Sequence, residues 1–156
     1  MEQTQFLERV NSIDHTSVPY VSGLLGFREG PLLLRIAQKL NTEPDVFMVD
    51  GQGVAHPRRC GLACQFGLAT GKPTVGVAKS LLYGRLKNGA IVDPDGHEIG
   101  RIVITPQGRK FYVSIGHKIS LETATQLVEK CLREGHPAPL RKAHLDSVEL
   151  KGRMSS

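Results

Sequence analysis

The feature that most constrains the fold is a short apolar run that ends at a carboxylate. Residues 46–49 are all apolar and are followed by Asp50, and a second apolar run occupies residues 74–78. Residues 60–70, between the two runs, are rich in small side chains. Continuous apolar runs of this length are typical of strands buried on both faces, and a helix that joins two such strands makes them parallel. The pattern predicts a strand, a helix and a second parallel strand, and therefore an α/β fold.

Weaker patterns predict helices on both sides of this unit. Residues 4–13 have a loose helical spacing, and Pro31 suits the first turn of a helix that ends near Asn41. Ser120 is a good N-cap for an amphipathic helix that we expect to end at Gly135.

The second half of the chain favours antiparallel strands. Residues 90–92, 99–104 and 110–115 alternate or run apolar between turn residues, as hairpin strands do. Residues 136–140 contain two prolines and are expected to form a loop. Together these patterns predict one domain, residues 1–156, with a mixed sheet flanked by helices.

Composition narrows the class of protein. The 156 residues are 40% hydrophobic and 22% charged, which excludes a disordered or collagen-like chain. No apolar run is long enough to cross a bilayer and the polar N-terminus has no signal-peptide core, so we expect no membrane partner and a cytoplasmic location. The three cysteines are expected to be free thiols. A net charge of +5 permits an anionic partner without requiring one.

Asp50 is the most informative single position. Ligands of open α/β sheets bind beyond the carboxyl ends of parallel strands, so a carboxylate there is placed to hold a cation, although Asp-Gly is also a common turn pair. Glu29 is either a second carboxylate of this kind or an acidic residue that complements a helix dipole. His144 is a ligand, a phosphate contact or a surface histidine. The spacing alone leaves these alternatives open.

Four segments together resemble the endonuclease V family, the repair nucleases of the ribonuclease H-like superfold that act on deoxyinosine. They are PYVSGLLGFREGP, DGQGVAHPRR, KPTVGVAKS and VSIGHKISL, in the order and at the approximate intervals of the family. The resemblance extends over residues 19–145. It implies a ribonuclease H-like mixed sheet and hydrolysis of a phosphodiester bond on the 3′ side of deoxyinosine or another deaminated base.

The resemblance also implies a metal centre. Asp50 and Glu29 match the metal-binding carboxylates of the family, and His144 stands where the family carries a late His or Asp near the metals. The expected cofactor is Mg²⁺, with Mn²⁺ as the alternative. Lys79 matches the lysine near the scissile phosphate, and Arg58 is expected to compensate phosphate charge.

Other positions match the family's recognition of an extruded base. Pro19, Tyr20 and Val21 resemble the wedge that enters the duplex, with Ser22 where many members have a second proline. The residues that match the hypoxanthine pocket are Gly23, Leu25, Gly51, His56, Gly61 and Leu62. The implied partner is DNA containing deoxyinosine, with RNA as the alternative.

One family feature has no match. Members begin with a β-hairpin whose first strand supplies an aspartate in a pattern like D-x-S-Y, and no residues before Pro19 fit it. We therefore expect a sheet that lacks its N-terminal strands and exposes an edge, in a monomer or a weak oligomer that pairs through that edge. Two hypotheses follow: an active nuclease, or a truncated, weakly active or inactive paralogue that binds inosine-containing DNA or RNA.

Overall fold

A mixed sheet of six strands organises the chain in the computed structural model, which describes residues 5–156 and, within them, every side chain except that of Leu25. Its strands are β1 (Phe47–Asp50), β2 (Thr74–Ala78), β3 (Arg85–Lys87), β4 (Ala90–Val92), β5 (Glu98–Ile104) and β6 (Lys110–His117). The helices are α1 (Leu25–Ala37), α2 (Leu62–Thr70), α3 (Leu121–Lys130) and α4 (Ala138–Met154), and the two strands β7 (Leu132–Arg133) and β8 (His136–Pro137) form a separate small hairpin.

The order of strands in the sheet is β1-β2-β6-β5-β4-β3. β1 and β2 are parallel, and every other pair is antiparallel. The prediction of a parallel strand pair joined by a helix, within a mixed α/β sheet flanked by helices, is confirmed. β1 forms one edge of the sheet, and no other strand from residues 5–156 pairs with its outer side.

Apolar side chains cover both faces of this sheet. On one face Val75, Val113 and Phe111 pack against α3. On the other face Val49 and Phe66 form a cluster that α1 and α2 cover. β2 is buried along its whole length and β1 is partly buried, which explains the continuous apolar sequences of these two strands.

The helix predicted over residues 4–13 is wrong within the described residues, because residues 5–13 form neither a helix nor a strand. The Glu8 carboxylate accepts hydrogen bonds from the backbone N–H groups of Asn41 and Thr42, both at 2.9 Å. Arg9 Nη1 donates to Asp146 on α4 at 3.1 Å. These long-range contacts replace the local hydrogen bonds that a helix would make.

Pro31 lies inside α1 and not in its first turn. The helix begins earlier, where the Leu24 N–H donates to the Val21 carbonyl at 3.0 Å. Leu33 and Leu34 pack against the buried cluster beneath α2, and this burial outweighs the backbone hydrogen bond that proline cannot make.

The C-terminal predictions are partly right. The Ser120 hydroxyl accepts a hydrogen bond from the Thr123 N–H at 3.0 Å and caps α3 as predicted, but the helix ends at Lys130 and not at Gly135. The loop predicted over residues 136–140 is wrong, because β8 and the start of α4 occupy it. Pro139 lies in the first turn of α4, where its missing N–H removes no helical bond.

Among the described residues, no helix combines the length and apolar character needed to cross a membrane.

Candidate functional site

Asp50 is the last residue of β1, and its side chain is exposed at the carboxyl edge of the sheet. Lys79 directly follows β2, the parallel neighbour of β1, and is exposed at the same edge. The Gln52 side chain ties the two strand ends together, since its Nε2 donates to the Ser80 carbonyl at 3.1 Å. The parallel pairing that the sequence predicts is therefore what brings Asp50 and Lys79 to one edge.

The loop after Asp50 is seated on β6 by close backbone contacts. The Gly53 N–H donates to Ser114 Oγ at 2.9 Å, and the Gly61 N–H donates to the Gly53 carbonyl at 3.0 Å. A Cβ atom on Gly53 would lie 2.0 Å from the Ile115 carbonyl oxygen, and one on Gly61 would lie 2.3 Å from the Gln52 oxygen. Glycine is required at both positions because the backbone itself packs there.

Glu29 lies within α1, which has no acidic residue in its first turn. The alternative that Glu29 complements the dipole at the start of a helix is therefore wrong. Its side chain is half-buried. Burial, and then the negative charge of Asp50, raise the pKa of Glu29, while Arg28 and Lys151 act in the opposite direction. Glu29 and Asp50 are thus close enough to interact, although they come from different elements.

A hydrogen bond joins the two segments that the resemblance assigns to base recognition. His56 is 5% exposed, and its Nε2 lies 2.7 Å from the Gly23 carbonyl oxygen. Its Nδ1 accepts a hydrogen bond from the Arg58 N–H at 3.1 Å, so the ring proton is on Nε2 and is donated to Gly23. Gly23 has φ +81°, a conformation that favours glycine.

The residues Pro19, Tyr20 and Val21 project from the surface ahead of α1. Tyr20 is 70% exposed and Val21 is 46% exposed. The segment is held from behind, where Arg28 Nη1 donates to the Val18 carbonyl at 2.6 Å. An exposed aromatic residue on an anchored turn is placed to contact a partner.

The remaining predicted pocket residues differ in their surroundings. The Leu62 side chain is 2% exposed and packs with Val49 and Phe66, which makes it a core residue. Gly51 is buried beside the end of β1, and Arg58 is exposed. The side chain of Leu25 lies outside the described residues.

His144 is exposed on α4. A cavity of about 380 Å³ opens beside Glu29 between α1 and the C-terminal half of α4. Ser147, Leu150 and Lys151 line the cavity from α4, and His144 does not. Glu29 is near enough to Asp50 for the Asp50 charge to act on it, whereas His144 is exposed and lies outside the lining of this cavity.

The sequence patterns missed an ionic cluster at the end of β4. Asp93 is fully buried and pairs with Arg59, while its Oδ1 accepts a hydrogen bond from the His97 N–H at 2.8 Å. Arg59 has φ +55° and lies over the Tyr83 ring, 5.9 Å from its centroid. The pair ties the loop after Asp50 to the β4–β5 turn. No local pattern reveals it, since the two residues are distant in sequence.

The same turn contains a group of candidate metal ligands. Within residues 5–156, Asp93, Asp95 and His97 are the one set of three such side chains whose ligand atoms all lie within 4.8 Å of one another. Asp93 is already neutralised by Arg59. Burial acts to raise the pKa of Asp93, but its hydrogen bonds and the charge of Arg59 outweigh this effect and hold the pKa below its usual range. The ionised Asp93 is therefore already paired, and the cluster holds the loop after Asp50 against the β4–β5 turn.

Comparison with known proteins gives one family. A sequence profile described as endonuclease V matches residues 1–145. An endonuclease V of Dehalococcoides mccartyi is 44% identical over 142 residues, which are 85% of this chain and 64% of that protein. The chain therefore spans less than two thirds of the length of this relative.

Solved structures give the same result. The crystal structure of endonuclease V from Bacillus subtilis matches with a TM-score of 0.85 and 36% identity, covering 96% of this chain and 68% of that one. Endonuclease V of Ciona intestinalis, crystallised with a 24mer DNA containing an inosine followed by a ribo-adenosine, matches with a TM-score of 0.81 and 32% identity. That match covers 88% of this chain and 70% of the Ciona chain.

Proposed function

The chain belongs to the endonuclease V family, and we propose that it is a metal-dependent repair endonuclease that cleaves DNA on the 3′ side of deoxyinosine or another deaminated base. The observation that carries this proposal is the exposed Asp50 carboxylate at the carboxyl end of β1, whose charge acts on the half-buried Glu29. The inosine-containing DNA held by the Ciona relative supports the choice of substrate. The ribo-adenosine in that DNA keeps RNA as the alternative.

The carboxylates of this edge fit a divalent cation. Mg²⁺ in proteins binds through one or two carboxylates and completes its shell with water and substrate phosphate oxygens. Asp50 is exposed and Glu29 is half-buried, so both carboxylates can turn toward a shared ion. Mn²⁺ accepts the same oxygen ligands and is the alternative. His144 is the third proposed ligand, on the resemblance alone.

When it is bound, the cation supplies Lewis-acid polarisation of the scissile phosphate and a more acidic water molecule. Asp50 and Glu29 would hold this cation, and Lys79 at the neighbouring strand end would balance the phosphate charge. Arg58, exposed on the loop after Asp50, contributes a further positive charge. Exposed cations of this kind make binding strongly dependent on salt.

Base recognition is assigned to the junction between the wedge and the loop after Asp50. Enzymes that select an altered base extrude it, because a poorly paired base costs less to unstack. Tyr20, 70% exposed on its anchored turn, fills the gap left in the stack. The hydrogen bond from His56 to Gly23 fixes the two sides of the pocket relative to each other. Hypoxanthine lacks the exocyclic amine of guanine, so a tight pocket accepts it and excludes guanine by size.

A second candidate function is binding of inosine-containing DNA or RNA without efficient cleavage. A pair of Mg²⁺ ions about 3.5–4 Å apart requires several anionic ligands. Among residues 5–156, Glu29 is the one carboxylate whose pKa is raised by the charge of Asp50. This limited negative charge is the observation that favours the alternative.

A nicking assay separates the two candidates. The whole chain is incubated with Mg²⁺ and a labelled duplex that contains one deoxyinosine, and a matched duplex with guanine at that position is the control. The proposal expects a single nick on the 3′ side of the lesion, in the inosine duplex only. Binding of the inosine duplex without a nick would overturn the nuclease and support the binding protein.

The compartment and the oligomeric state belong to the same proposal. The three cysteines are free thiols, which supports a cytoplasmic location.

The outer side of β1 is the surface through which we propose that a weak oligomer would pair. Sedimentation over a range of concentrations tests this: a monomer or a weak self-association is expected, and a stable dimer at low concentration would contradict it.

A further inference from the structure

Arg59, in the loop between β1 and α2, has a backbone conformation that arginine rarely adopts. Its φ of +55° lies in the left-handed region, where the Cβ atom of an L residue is crowded. Asn88 and Glu134 also have positive φ, but each lies in a hairpin turn just ahead of a glycine, where this conformation is usual. Strained residues persist where their surroundings hold them, and they are concentrated at functional sites. The contacts that hold Arg59 therefore point to its role.

An ion pair fixes the side chain of Arg59. Its guanidinium pairs with Asp93, which directly follows β4 and is inaccessible to solvent. The same guanidinium lies over the Tyr83 ring. The Asp93 carboxylate is itself held in place, because it accepts a hydrogen bond from the His97 N–H at 2.8 Å. Loss of the cation would leave a buried charge without its partner, so the pair determines where the Arg59 side chain must lie.

The backbone of Arg59 connects this ion pair to the segments assigned to base recognition. The Arg59 N–H donates to the His56 carbonyl at 2.9 Å and closes a tight turn. The buried His56 ring in turn donates from Nε2 to the Gly23 carbonyl at 2.7 Å. A continuous chain of contacts therefore leads from the β4–β5 turn to the segment ahead of α1.

The middle of the same loop is held by apolar packing instead of charge. Ala55 is 1% exposed and packs with Ile91 on β4 and Ile99 on β5. These contacts do not involve Arg59. Loss of the ion pair should therefore release the end of the loop locally and leave its middle packed on the sheet.

We propose that Asp93 is a positioning residue for recognition of the deaminated base, and that it acts through Arg59 and the turn that Arg59 closes with His56. This inference rests on the proposed function, which assigns that region to the pocket for the extruded base. Asp93 is inaccessible to solvent and does not itself touch the nucleic acid. It holds Arg59 in the left-handed conformation, and it thereby keeps the His56 ring where it can bond to Gly23.

The preference for the inosine duplex, which is the ratio of two affinities, tests the proposal. Affinities of the whole chain for the inosine duplex and the matched guanine duplex are measured by fluorescence anisotropy in EDTA, at a temperature where circular dichroism shows each variant to be folded. The amide of Asp93→Asn cannot neutralise Arg59. The preference should therefore fall about tenfold, because a displacement of about 1 Å in a positioned site can cost about 100-fold.

Affinity of Asp93→Asn for the guanine duplex should not fall, because the variant keeps every positive charge of the loop. The matched control is Asp95→Asn, which changes an exposed carboxylate in the same turn and should keep the wild-type preference.

A double variant separates positioning from the burial of charge. Arg59→Gly combined with Asp93→Asn leaves no buried charge, and glycine adopts a positive φ without strain. The new amide can donate to His97 Nδ1, because that atom lies 3.3 Å from Asp93 Oδ2. The double variant should therefore unfold close to the wild-type temperature, yet its preference for the inosine duplex should stay as low as that of Asp93→Asn.

Three results would overturn the positioning role and leave the proposed function intact. They are an unchanged preference in Asp93→Asn, recovery of the preference in the double variant, and an equal loss of affinity for both duplexes in both variants. Recovery in the double variant would show that the pair only neutralises a buried charge. A wild-type chain that does not prefer the inosine duplex would overturn the proposed function and this inference together.

Discussion

His56 connects the wedge segment to the loop after Asp50, and its replacement by alanine should destabilise the fold and damage recognition together. The substitution removes two hydrogen bonds, from Nε2 to the Gly23 carbonyl at 2.7 Å and from the Arg58 N–H to Nδ1 at 3.1 Å. Each bond contributes a net stabilisation of about 0.5–1.5 kcal/mol, which gives about 1–3 kcal/mol for the pair. In the variant, water can replace the hydrogen bond to the exposed Arg58, but it cannot enter the space left by the buried His56 ring. We therefore expect a loss of stability near the middle of this range, about 2 kcal/mol.

Thermal and urea unfolding measure this loss. For a chain of this size, a loss of about 2 kcal/mol lowers Tm by roughly 4–8 °C, and the urea midpoint should fall without a change in the m-value. His56→Gln, which can still donate to Gly23, should lose less. His15→Ala is the matched control, because that histidine is exposed. A Tm for His56→Ala within 1 °C of the wild type would show that these two hydrogen bonds do not stabilise the fold.

The same variant makes a functional prediction. Since the His56 bond positions the pocket and contacts no phosphate in this account, His56→Ala should weaken binding of the inosine duplex much more than binding of the undamaged duplex. The salt slope should stay at its wild-type value. A reduced slope with unchanged discrimination would mean that His56 contacts the backbone and not the base pocket.

Three further predictions concern a buried thiol, the Glu29 carboxylate and the packing of two glycines. Burial raises the pKa of the Cys64 thiol to about 11, so about one part in a thousand of the thiol is ionised at pH 8. Iodoacetamide should therefore label Cys64 slowly until urea unfolds the chain, and rapid labelling of the native chain would contradict this. Burial and the charge of Asp50 raise the pKa of Glu29, so its ionisation destabilises the metal-free fold as pH rises. Glu29→Gln should therefore raise the Tm more at pH 7 than at pH 4, and it should abolish cleavage; a larger gain in Tm at pH 4 would contradict this. Gly53→Ala would place a Cβ atom 2.0 Å from the Ile115 carbonyl oxygen and should destabilise strongly, whereas Gly152→Ala in the last turn of α4, where no atom lies within 4 Å, should be neutral or stabilise by up to about 1 kcal/mol; equal effects would be inconsistent with the close packing of the loop.

The sequence predicted the central part of the fold because that part is determined by local pattern. Residues 74–78 form β2 as expected, and Asp50 lies at the strand end where the run stops. Burial on both faces requires continuous apolar side chains, and such runs are visible without any knowledge of distant contacts. The cap at Ser120 was predictable for the same reason, since its hydrogen bond is local.

Predictions failed where distant contacts decide the structure. Residues 5–13 have helical spacing, yet Glu8 and Arg9 bond to residues far along the chain. Pro31 lies inside α1, away from the usual position of proline in the first turn, because packing overrides local preference there. The proline pair in residues 136–140 favoured a loop, yet Pro139 occupies the first turn of α4. Propensity describes a segment alone, and neither of these segments folds alone.

In the candidate site, too, local motifs identified some residues, while residues that depend on distant contacts were missed. The motifs identified Asp50 and Glu29, and the effect of the Asp50 charge on Glu29 is consistent with one site. They did not identify the Arg59–Asp93 ion pair. This pair depends on strand order and on contacts between turns, which no single segment of the sequence encodes.

The central claim is that the carboxylate at the carboxyl end of β1 supports cleavage at inosine. The most direct measurement compares nicking of the inosine duplex in Mg²⁺ by Asp50→Asn and by Asp45→Asn, which removes an exposed carboxylate just ahead of the other end of the same strand. We expect Asp50→Asn to abolish nicking and retain duplex binding, while Asp45→Asn nicks at the wild-type rate. Undiminished nicking by Asp50→Asn would show that this carboxylate does not support cleavage.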